Sequence, residues 1–63
     1  METRTYYVPA NQFGKNVLAI IWESVSCSMG EIRKVGNALA VPITMPKREI
    51  IKVEHILQMY DLM

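Results

Sequence analysis

Cys27 and His55 are the only cysteine and the only histidine of the chain. A thiol nucleophile needs an activating base and a third group to orient it, and these two residues, far apart in sequence, carry no such signal. Cys27, between Ser26 and Ser28, reads as a small buried residue at a helix end rather than as a reactive thiol. A zinc site needs three or four Cys, His or carboxylate ligands at recognisable spacing, which the sequence lacks. Carboxylates occur singly, with no acid/base pairing, and there is no Gly-rich phosphate loop or nucleophile elbow. The expectation is a protein that binds a partner, with no catalytic residues, no metal and no cofactor.

The cations are unevenly placed. Arg33, Lys34, Lys47, Arg48 and Lys52 fall between residues 32 and 52 against Glu49 alone, although the whole chain carries a formal charge of only +1. Residues on either side are mildly acidic. A basic block of this kind is a candidate phosphate-contacting surface for duplex DNA, and its plainer reading is a solvated face. Within it, Arg33 or Arg48 could read guanine edges and Asn37 adenine, while Lys34, Lys47 and Lys52 hold the backbone. The alternative partner is a host or cognate protein. Half of the residues are hydrophobic (51%) and five are methionine, which suits an adaptable contact surface. Tyr6, Tyr7 and the apolar edge formed by Leu39, Val41 and Ile43 would then be the contacts, the edge adding to a partner's sheet.

The elements that must position these residues follow from periodicity. Thr5-Tyr6-Tyr7-Val8, stopped by Pro9, reads as a short edge strand or extended arm. Asn11 is placed to cap a helix running to about Ser26. Its apolar stripe is Leu18, Ile21, Trp22, Val25 and Met29, with Trp22 as the largest core contributor. Residues 28–45 admit two readings. Ser28 to Glu31 can form a capping box opening a second helix that Pro42 ends. Alternatively, Gly36-Asn37 is a hairpin turn and Leu39, Val41, Ile43 and Met45 alternate with Ala38, Ala40, Pro42 and Thr44 as a strand, which Pro42 confines to an edge or bulge. The alternation favours the hairpin. From Pro46 to about Leu62 a helix is expected, capped by Thr44, with Ile50, Val53, Ile56, Leu57 and Tyr60 on one arc. His55 falls on its polar side and reads as solvated. The fold class is therefore α+β, two helices with an N-terminal strand and a central hairpin. An all-α three-helix domain is the alternative.

The 63 residues are read as one small domain, in which about 60% of the unfolded chain's surface can be buried. With a lone cysteine no internal disulfide can form, so stabilisation by self-association, a homodimer, is expected in a reducing cytoplasmic setting. No apolar run approaches the roughly 20 residues needed to cross a bilayer.

Arg33-Lys34-Val35-Gly36-Asn37-Ala38-Leu39-Ala40-Val41, followed by Thr44-Met45-Pro46-Lys47, resembles the AbrB/MazE group of DNA-binding regulators and antitoxins. That resemblance covers about a quarter of the chain. It implies interleaved hairpins in a dimer, with Arg33, Lys34 and Asn37 facing DNA and Lys47 and Arg48 nearby. Arg48-Glu49-Ile50-Ile51-Lys52-Val53, leading into the last helix behind a central wing, is similar to phage excisionase-like winged helices. Both imply a small DNA-binding regulator of mobile-element or antitoxin type. The contrasting expectation is a phage- or plasmid-type inhibitor or adaptor that covers a host protein.

Overall fold

Alternation of Thr3, Thr5 and Tyr7 with Arg4, Tyr6 and Val8 gives one face of a strand to the core and the other to solvent. In the computed structural model, which describes residues 1–63, this strand is β1 (Glu2–Pro9), twice as long as the Thr5–Val8 run suggests. It is followed by helix α1 (Gln12–Ser24), β2 (Ser28–Met29), β3 (Arg33–Val35), β4 (Ala38–Met45), a 3-10 turn (Lys47–Glu49) and helix α2 (Ile50–Met59). The α+β reading holds; the all-α alternative does not. No helix is long and apolar enough to cross a membrane.

The sheet is antiparallel and β4 is its spine. β1 pairs with one side of β4 along its whole length, from Glu2 opposite Met45 to Pro9 opposite Ala38. β2 and β3 share the other side, Ser28 facing Thr44 and Arg33 facing Ala40. Pro42 was expected to force an edge, yet it sits in this central strand. The reason is local. The Pro42 carbonyl accepts the Gly30 N–H at 2.8 Å, so residue 42 turns its backbone toward β2 and β3. The N–H it lacks would have faced the Gly30 carbonyl just past the end of β2, so the proline removes one bond at the end of that ladder and none within it.

The two-residue turn between β3 and β4 uses a positive φ (61°) at Gly36 only. Glycine first and a non-glycine second is the type II′ pattern, which matches strand twist. The Asn37 carbonyl then accepts the Ala10 N–H at 2.9 Å, pinning the hairpin tip to the β1–α1 connection. Ser28 caps no helix; Ser28 and Met29 are strand β2, and Met29 packs against the core from there rather than continuing the α1 stripe.

Helix α1 begins as its sequence dictates. The Asn11 side chain accepts the Gly14 N–H at 3.0 Å, satisfying one orphan amide. Its buried side is Gly14, Val17, Leu18, Ile21 and Val25. Trp22 is not part of it: the indole is 57% exposed. At about 100° per residue Trp22 stands about 80° around the wheel from Gly14, at the margin of the arc. The arc is centred on Gly14 because that residue lies against Pro9, where an added Cβ would sit 1.8 Å from the carbonyl oxygen. Phe13 is at the opposite margin and meets Tyr60 edge-on, centroids 5.9 Å apart.

Both helices cover one face of the sheet. Tyr6, Val8, Val41, Ile43 and Met45 from the strands meet Val17, Leu18, Ile21 and Val25 from α1 and Ile50, Val53 and Leu57 from α2 in one cluster. Full burial of an aliphatic side chain such as Ile21 or Leu57 stabilises by about 1.5–3 kcal/mol. Thr44 does not cap the last helical segment. Its hydroxyl instead bonds Thr3 across the strands at 2.7 Å, and Pro46 opens the 3-10 turn with no side-chain cap. α2 ends in a Schellman arrangement. Asp61 has a positive φ (58°), its N–H reaches the Gln58 carbonyl, and the Leu62 N–H reaches that of Leu57 at 2.8 Å.

Candidate functional site

With both helices on one face, the other face of the sheet is bare. Cross-strand partners share a face, so the registers place Thr3, Thr5, Tyr7 and Pro9 beside Thr44, Pro42, Ala40 and Ala38, and these beside Ser28, Arg33 and Val35. Arg33 is the single charged residue of that surface. Tyr7 and Val35 are exposed large side chains on it, and Gly30 lies close enough to Pro42 that a Cβ would stand 3.0 Å from the proline ring.

The apolar contact edge expected over residues 39–45 is therefore not an edge. β4 is paired on both sides, and Tyr6, Val41 and Ile43 turn into the core, where they are buried. Leu39 is half-buried against the same core. Of the residues proposed for a protein partner, Tyr7 alone presents its side chain outward, joined by Thr3, Thr5, Ala40 and Pro42. Their shared parity with Tyr7 and with the polar phase of β4 was the available signal. The sheet's free edges are instead β1 on one side, eight residues long, and the short β2 and β3 on the other.

The five cations do not form one platform. β4 separates Arg33, Lys34 and Asn37 at the hairpin end from Lys47 and Arg48 beyond its far end, about 23 Å away at 3.3 Å per residue. Arg33 and Lys34, being adjacent in a strand, also point to opposite faces. Lys34 and Asn37 meet Ala10 and Asn11 around a shallow concavity at the hairpin tip. Lys47 and Arg48 join Arg4, Ile50 and Ile51 around an open groove; Arg4 is a contributor that the sequence block omits.

Carboxylates occupy several of these cations. Glu49 is buried, its Oε1 3.8 Å from the Arg48 guanidinium and its Oε2 3.4 Å from the Lys52 ammonium, a contact that makes no hydrogen bond. Glu31 approaches Arg33 at 3.9 Å with both side chains well exposed, a pair worth little in water. Lys34 and Lys47 form no ion pair.

On the core side of β1, Glu54 gathers a second polar group. Its Oε2 accepts the Tyr6 hydroxyl at 3.1 Å and faces the Arg4 guanidinium at 3.4 Å. Burial and the neighbouring carboxylate push the Tyr6 hydroxyl up to about 12, Arg4 opposing them weakly. Cys27 is half-buried; burial first, and then the charge of Glu49, push its thiol above the ordinary cysteine value. His55 is exposed on α2. No three His, Cys, Asp or Glu side chains are grouped so as to hold a metal ion.

No protein-family model, curated protein or solved structure matches this chain.

Proposed function

We propose that this chain is a small protein-binding module, an inhibitor or adaptor that meets its partner through the open face of the sheet. One observation carries the reading: a helix-free sheet face of Thr3, Thr5, Tyr7, Ala38, Ala40, Pro42, Thr44 and Val35, with Arg33 at its border as the one charge. Small apolar and hydroxyl side chains on a rigid sheet are easily dehydrated, and a protruding Tyr7 supplies an amphipathic anchor. The complementary surface is apolar, with a carboxylate placed to meet Arg33. Tyr7→Lys and Ala40→Lys put a charge on this face without touching the core. Affinity capture after nuclease treatment should recover one stoichiometric protein with the wild-type chain, and neither variant should retain it. Capture undiminished in both variants refutes the reading.

Duplex DNA is the second reading, favoured by Lys34 and Lys47, which have no carboxylate partner, and by Asn37 beside Lys34 at the hairpin tip. The carboxylates beside Arg33, Arg48 and Lys52 and the opposite faces of Arg33 and Lys34 weigh against it, because affinity follows the number of phosphates neutralised at once. Arg33→Ala with Lys34→Ala should weaken a low-salt mobility shift and flatten its salt dependence. Absence of any shift for the wild-type chain removes this reading.

A further inference from the structure

We infer that the outer edge of β1 pairs antiparallel with the same edge of a second copy, the two-fold axis passing beside Thr5. This goes beyond the protein-binding reading and does not depend on it, since the open face is left free.

The backbone phase of β1 is determined twice over. Pro42 turns its carbonyl to Gly30, away from β1, so its opposite residue Thr5 makes no ladder bond to β4. At the other end the Ala10 N–H reaches the Asn37 carbonyl, which puts the even-numbered residues in register with β4. Glu2, Arg4, Tyr6 and Val8 therefore spend their backbone groups inside the sheet. Thr3, Thr5 and Tyr7 turn theirs outward.

An edge strand of this length is normally blunted by proline, by charge on either face or by a bulge; the one inward charge in mid-strand here, Arg4, is already engaged by Glu54 at 3.4 Å. Among the outward-facing Thr3, Thr5 and Tyr7 there is neither proline nor charge, all three are exposed, and the eight-pair register with β4 runs without a bulge. The strand is a template left open.

One register alone pairs all three outward residues of a second copy with one another. Rotation about Thr5 sets Thr5 against Thr5 and Thr3 against Tyr7 of the other copy, so each outward residue meets an outward residue. The three pairs exchange about six backbone hydrogen bonds. On the open face, Tyr7 lies over a branched threonine at both ends, a favourable cross-strand combination.

Charges also complement one another across the axis. Glu2 faces Val8 and Arg4 faces Tyr6, so no like charges stand directly opposite. The Tyr6 facing Arg4 carries its hydroxyl on Glu54. Each Arg4 thus meets the neighbourhood of the other copy's carboxylate while keeping its own at 3.4 Å. Ile51, 77% exposed, shares a groove with Arg4 on the helix side of this edge and gains cover there. A second copy is favoured over an unrelated strand because the sequence Thr3 to Tyr7 supplies both halves of every pair.

Sedimentation equilibrium from micromolar to near-millimolar concentration should give a mass twice the 7.2 kDa of the chain. Thr5→Pro removes an N–H that the single chain does not use. Thr5→Lys sets two ammonium groups face to face at the axis and weakens association by roughly tenfold or more. Thr5→Pro should move to the monomer mass and Thr5→Lys should shift its dissociation at least tenfold toward it, both with unchanged far-ultraviolet circular dichroism. Should Thr5→Pro fail to fold, Thr5→Lys alone carries the test. In a Cys27→Ser background, Thr5→Cys should form a disulfide dimer on oxidation. Thr3→Cys should not, its two copies being offset by four residues, about 13 Å. A monomeric wild-type chain at every concentration overturns the inference, as does a dimer that is as tight in Thr5→Lys as in the wild type or that cross-links equally from Thr3→Cys.

Discussion

The Tyr6 hydroxyl donates to Glu54 Oε2 at 3.1 Å, joining the edge strand to the middle of the last helix. Forty-eight residues lie between the two partners, so the bond reports the closed tertiary structure rather than any local element.

Its pH dependence has a definite sign. The phenol is held up to about 12 in the folded chain against 10.0 without the fold. Below pH 10 both states keep the proton and the stabilisation is complete. Between 10 and 12 the unfolded chain releases its proton first, so stability falls as pH rises. The urea midpoint should drop across that interval, and the drop should be smaller in Tyr6→Phe. At neutral pH Tyr6→Phe should cost about 1 kcal/mol, since Glu54 is open enough for water to replace the donor. Equal alkaline slopes in the two proteins would disprove the coupling.

Ile21 and Trp22 are neighbours with opposite energetic roles. Ile21 is fully buried, and Ile21→Ala should cost about 2–5 kcal/mol through lost transfer energy and the cavity left behind. Trp22→Ala should cost less than about 1 kcal/mol. The wild-type indole should emit at the wavelength of a solvated tryptophan and be quenched readily by acrylamide. A blue-shifted, protected emission is the contrary result.

Gly14→Ala opposes two effects of different size. Alanine in a helix is favoured over glycine by about 1 kcal/mol. Its Cβ, however, would need to sit 1.8 Å from the Pro9 carbonyl oxygen, a backbone atom that cannot yield without moving β1. Overpacking wins, and a loss of about 3 kcal/mol or more is expected in chemical denaturation. A variant as stable as the wild type would mean that α1 is seated differently on Pro9.

Cys27 should alkylate slowly at neutral pH, because burial and Glu49 both hold the thiol protonated. Glu49→Gln removes the smaller of the two causes, so labelling by iodoacetamide should accelerate modestly without reaching the rate of the unfolded chain. Unchanged kinetics in Glu49→Gln would leave burial as the sole cause.

Local features were legible in the residues because local geometry specifies them. Asn11 caps α1 since a short oxygen-bearing side chain reaches Gly14 one turn on. Gly36 turns the hairpin since it tolerates the positive φ. Leu39 to Met45 alternate because a strand repeats every two residues, and Ile50, Val53 and Leu57 share an arc because a helix repeats every 3.6. What lies on each side of an element is settled by distant residues, and there the tertiary structure decided. Pro42 occupies a central strand because its missing N–H falls beside Gly30, where the β2 ladder ends. Trp22 faces water because contact with Pro9 sets the rotation of α1. The basic run from Arg33 to Lys52 parts into two ends because β4 extends between them, and a contiguous stretch of sequence need not be contiguous in space.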